Sequence, residues 1–173
     1  DLSPSMLIGF KGKSKLQCIF EIICLIYLLS KETNDKQRVV FVGGERIDLP
    51  PKQGKEGMVL LISYLERIGL IDSSGKVDIE RQINPVPHDV KTITLLKSHI
   101  AKKKEVIYFT DFNNFDDLDQ FNKLLNYKNF HCFRVLSPIE RKQKIPISFC
   151  SSAYKNNSWK KISELLDNKP ISA

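Results

Sequence analysis

Apolar residues recur at helical spacing over residues 14–31, where Leu16, Ile19, Phe20, Ile23, Cys24, Ile26 and Tyr27 follow Ser14, a side chain suited to cap a first turn. They run nearly all the way round, which predicts a helix covered on more than one side. The period then changes. Residues 39–42 form a short β-branched run ended by Gly43 and Gly44 and predict a buried strand. Residues 45–49 alternate polar with apolar up to Pro50 and Pro51, as an edge strand does. Helical spacing returns over 58–68 and closes at Gly69, followed by a turn at 72–75, a short helix over 78–83 ended by Pro85, and a helix over 89–101. Residues 106–110 predict a second buried strand that delivers Asp111 at its carboxyl end. Beyond it come a helix over 116–126 with an acidic start that suits its dipole, strands over 130–136 and 145–150, and a terminal helix over 158–166 anchored by Trp159.

Strands separated by helices and joined by short loops predict an α/β fold, a doubly wound and mainly parallel sheet with helices on both faces. In such sheets ligands gather outside the carboxyl ends of the strands. Asp1 precedes a helix and Asp111 follows a strand, so both are expected on that rim.

The chain has 173 residues, the size of one domain with a real core, and its 42% hydrophobic and 27% charged residues are globular values. A net charge of +7 points to an acidic partner without choosing among nucleic acid, membrane and protein. Cys18, Cys24, Cys132 and Cys150 lack metal-ligand spacing and sit in apolar runs, which suits buried thiols in a reducing, cytoplasmic setting. His88, His99 and His131 are scattered and form no zinc motif. The apolar run at 19–29 contains Glu21 and is too short to span a bilayer. The chain opens on Asp1, and the strand expected to deliver that residue would lie upstream, together with any membrane anchor.

Asp1, Ser3 and Ser5 alternate in a D-x-S-x-S turn ahead of the first helix. One carboxylate and two hydroxyls aimed the same way are hard oxygen ligands of the kind that hold Mg²⁺ or Mn²⁺. The competing reading is a helix cap, because Asp and Ser also accept bonds from the free N–H groups of a first turn.

Asp1, Ser3, Ser5, Met6 and Gly9 are followed by Ser14, Lys15 and Leu16 opening a helix, then by 39–43, by Leu49, Pro50, Pro51 and Gly54, and by Gly75, Val77 and Asp78. Phe109, Thr110, Asp111 and Phe112 come next, then Ser137, Pro138 and Glu140. In this order the chain resembles a von Willebrand factor A domain, and more closely the MoxR-associated bacterial family known as domain of unknown function fifty-eight. The resemblance implies that Ser3 and Ser5 bind a cation through their hydroxyls, with Asp1 and Asp111 acting directly or through water. It implies recognition rather than catalysis, with Mg²⁺ bridging to a carboxylate of a MoxR-type AAA+ ATPase or its client. Two departures stand out: Val77 occupies the position of the family's threonine ligand, so that water fills the gap, a hydroxyl such as Ser73 or Ser74 substitutes, or the site has decayed, and Ser137 stands where aspartate is usual.

Two other functions fit parts of the pattern. Paired aspartates with Mg²⁺ also serve phosphoryl transfer, although no lysine follows Asp111 and no phosphate-binding glycine loop is present. Lys97, residues 102–104, Lys155, Lys160 and Lys161 suggest a nucleic-acid surface, against which a solvated helix end is the simpler account.

Overall fold

The computed structural model describes residues 1–10, 12–43, 46–84, 90–113, 118–138 and 140. Ser14 caps the first helix, its hydroxyl accepting from Gln17 N at 3.1 Å, and α1 (Lys15–Thr33) runs until Asn34 turns left-handed at φ 57°. Leu16, Ile19, Phe20, Tyr27 and Ser30 form its buried face. Cover on more than one side is not what forms, because Leu25 and Leu29 remain 58% and 67% exposed.

Helix α2 (Gly54–Arg67) begins four residues before the predicted 58–68, and α3 (Val90–Ala101) follows the reading of 89–101 closely. Of the residues read as one helix at 116–126, α4 covers Leu118–Asn122, and a 3₁₀ turn continues through Lys123–Asn126. No helix forms at 78–83. Asp78 Oδ1 accepts from Glu80 N at 3.0 Å there, a local turn that competes with helical bonding, and Val77 forms a bridge to Ile71.

Among the described residues three strand pairs are hydrogen-bonded: β1 (Gly9–Phe10) with β2 (Lys13–Ser14), β3 (Val40–Phe41) with β4 (Ile47–Asp48), and β5 (Val106–Thr110) with β6 (Phe130–Arg134). The first two pairs are antiparallel and the third is parallel, with Val106 opposite Phe130 and Thr110 opposite Arg134. Mixed helix and strand with a small parallel pair is an α/β arrangement. The residues read as a strand at 145–150 and as a helix at 158–166, with Cys150, Trp159, Lys155, Lys160 and Lys161, lie outside the described residues, as does His88. Among the described residues no helix is long and apolar enough to cross a membrane.

Strand alternation divides the apolar residues between two clusters. Phe41 joins Leu16, Phe20, Leu61 and Leu65 in the first, where Phe109 packs, while Val42 and Tyr108 join Ile93, Leu96, Phe121 and Phe130 in the second. β5 therefore meets one cluster through Tyr108 and the other through Phe109. The free thiols of Cys18, Cys24 and Cys132 are half-buried, and burial pushes the Cys132 thiol up to about 12, so it stays protonated.

α1 and α2 approach closely because Gly57 has no side chain: a Cβ built there would lie 2.3 Å from both Cδ1 and Cε1 of Tyr27. Alanine would favour the helix by about 1 kcal/mol, but a methyl group against a fully buried ring forces the helices apart. Gly57→Ala is therefore expected to lower unfolding free energy by about 1–3 kcal/mol in urea titration. A stabilised variant would show that the interface yields freely.

Candidate metal centre

The first two residues tie separate strand pairs together. The amine of Asp1 donates to Phe109 O at 3.0 Å in β5, and Leu2 N donates to Val42 O at 2.6 Å beside β3. Both carboxylate oxygens of Asp1 accept bonds from the protein. Oδ1 takes Ser3 N at 2.8 Å, and Oδ2 takes the hydroxyl of fully buried Thr110 at 2.6 Å.

A 3₁₀ turn (Pro4–Leu7) follows, and Ser3 occupies its cap position without lending its hydroxyl to the cap. Instead Ser3 Oγ lies 3.0 Å from Ser5 Oγ, and Ser5 is one of the groups that lower the Asp111 carboxyl. Asp1, Ser3 and Ser5 are thus joined by hydrogen bonds, and Ser5 also acts on the Asp111 carboxyl. Ser3 does not cap the turn through its hydroxyl, which lies against Ser5 instead.

Asp111 sits where β5 ends and is 1% exposed. Its Oδ1 accepts from Asn113 N at 3.0 Å, and its Oδ2 accepts from Asn113 Nδ2 at 3.0 Å and from Lys15 Nζ at 2.7 Å. Burial pushes this carboxyl upward, but the Lys15 ammonium and the bonds from Asn113 and Ser5 outweigh it and hold the group below its ordinary value. Between Asp111 and Asn113, Phe112 adopts a left-handed backbone at φ 64°, fixed by its N–H to Thr110 Oγ1 at 3.1 Å. A bulky residue in that region is strained, and here the flanking bonds hold it.

Lys15 and Glu140 complete the cluster, and the sequence pattern assigned neither a role. Lys15 is 3% exposed, and its Nζ also lies 2.7 Å from Glu140 Oε1. Glu140 Oε2 accepts from Ser137 N at 2.6 Å. One signal for Lys15 is visible in the sequence: a cation in the first turn opposes the positive end of a helix, so something else must reward it. The tight β1–β2 hairpin places it, with Lys15 N donating to Ile8 O at 3.1 Å. Gly9 is required there, because a Cβ would lie 2.1 Å from Lys13 O.

Val77 supplies no oxygen. Its N–H donates to Gln17 Oε1 at 2.9 Å, which ties it to the first turn of α1, and its side chain is buried in the first apolar cluster. Ser74 is engaged elsewhere, its hydroxyl donating to Asp72 Oδ1 at 2.7 Å in an exposed turn.

The donor set suits a small hard cation in kind and in convergence. Two hydroxyls lie 3.0 Å apart beside a carboxylate. Charge agrees: among the described residues the Asp111 and Glu140 carboxylates share the one ammonium of Lys15. Among the described residues no three His, Cys, Asp or Glu side chains gather as a metal site, so an ion here would depend on the serine hydroxyls. Comparison of the chain with family models, curated proteins and solved structures gives no match.

Proposed function

We propose that this chain is a metal-ion-dependent protein-binding domain of the von Willebrand factor A type, an adapter rather than an enzyme. On this reading the strand pairs belong to one doubly wound sheet, with Asp1 and Asp111 on its carboxyl rim. The observation that carries the reading is the Ser3–Ser5 hydroxyl pair, with the buried Asp111 carboxylate at the end of β5 electrostatically coupled to Ser5.

Ser3, Ser5 and Asp111 would hold Mg²⁺ or Mn²⁺. Asp1 shapes the loop through its bonds from Ser3 N and the Thr110 hydroxyl, and it, like Asp111, would act on the ion directly or through water. The ion would supply Lewis acidity and an open position for a carboxylate from another protein. Val77 makes this sphere poorer by one protein oxygen, so water completes it. Ser5 is only half-buried, which keeps the site open on its side.

The resemblance of the ordered motifs supports a MoxR-type AAA+ ATPase or its client as partner, in the cytoplasm. Recovery of that ATPase on the immobilised chain is expected to fall at least ~10-fold when EDTA replaces Mg²⁺, and equally in Ser3→Ala, as loss of a metal bridge requires. Equal recovery in all three conditions would overturn the metal-mediated mechanism.

A further inference from the structure

Lys15 and a divalent cation ask the same thing of Asp111. The ammonium lies 2.7 Å from Asp111 Oδ2, with both side chains at most 2% exposed, so no water shell separates the charges. The hairpin bond to Ile8 O and the Ser14 cap fix the backbone that carries the lysine, while its four-carbon stem leaves the ammonium free to pivot. We infer that Lys15 is the resident cation of this site, competing with a divalent ion for Asp111, and that Glu140 is the carboxylate to which its ammonium withdraws when the ion enters. This rests on the metal-binding reading proposed above.

Glu140 is built for that part. Its Oε2 is held by Ser137 N at 2.6 Å, which leaves Oε1 for Lys15 at 2.7 Å. Ser137 Oγ is buried without a hydrogen-bond partner among the described residues and is 3% exposed as a residue, so an acceptor lies beside Glu140 for the displaced ammonium. Without Glu140, Asp111 would be the carboxylate left to Lys15 among the described residues, and Lys15 would compete more strongly. Metal affinity is therefore set by a three-residue balance, with Lys15 lowering it and Glu140 restoring it.

The test is calorimetric titration of Mg²⁺ and Mn²⁺ into the metal-free full chain and its variants, with circular dichroism to check folding. Lys15→Met is expected to bind at least ~10-fold more tightly than the unaltered chain, since a buried like charge is removed. Glu140→Gln is expected to bind at least ~3-fold more weakly. Lys13→Met, which removes an exposed charge paired with Glu21, is expected to stay within about twofold. Should Lys15→Met fail to fold, Glu140→Gln decides: unchanged or tighter binding overturns the balance. Equal affinity of Lys15→Met and the unaltered chain overturns the competition and leaves the metal site standing. Absence of binding by every variant overturns both.

Discussion

Asp111→Ala is expected to lower unfolding free energy by about 3–5 kcal/mol, because breaking a buried ion pair leaves the other charge without adequate compensation. Among the described residues the Lys15 ammonium would keep Glu140 as its partner, in a site where its side chain is 2% exposed. The loop loses its frame as well. Asn113 N and Nδ2 both donate to Asp111, and that turn helps hold Phe112 at φ 64°. Asp111→Asn retains an acceptor and the shape but not the charge, and is expected to lose about 1–3 kcal/mol. Chemical denaturation of the two variants with the unaltered chain measures both. A loss below about 1 kcal/mol in Asp111→Ala would show that the ammonium finds other partners or water at little cost.

Phe121→Ala is expected to be about as damaging, at about 3–5 kcal/mol. The ring is 0% exposed and meets Phe112, Phe130 and Tyr108 at centroid distances of 5.3, 5.7 and 5.8 Å. Its removal leaves a cavity under β5 and withdraws the ring on which Phe112 packs, so the loop carrying Asn113 loses support along with the core. Phe133 provides the contrast. It stacks on Phe109 at 5.5 Å but is 54% exposed, and Phe133→Ala is expected to cost about 1 kcal/mol or less. Similar losses for the two variants in the same denaturant series would contradict the second cluster as a main stabilising unit.

Much of the site was legible because its parts are local. Asp1, Ser3 and Ser5 are separated by single residues in one turn, and the β-branched and aromatic run before Asp111 announces a strand that ends on it. Ser14 ahead of helical spacing marks the start of α1, and the structure puts that helix at Lys15–Thr33. The failures were also local choices, settled by competing bonds. At 78–83 the spacing allowed a helix, and the Asp78 side chain instead closed a turn on Glu80.

Which segments bury an apolar face and which oxygen-bearing residues stand side by side can be read along the chain, since period and turn chemistry act over a few residues. Who pairs with whom over long separations is settled by packing. Thr110 reaches Asp1 over 109 positions, and Lys15 reaches Asp111 over 96 and Glu140 over 125. A hydrophobic pattern carries no record of such partners, because a buried charge takes its meaning from whatever the packed strands and helices bring within about 3 Å of it.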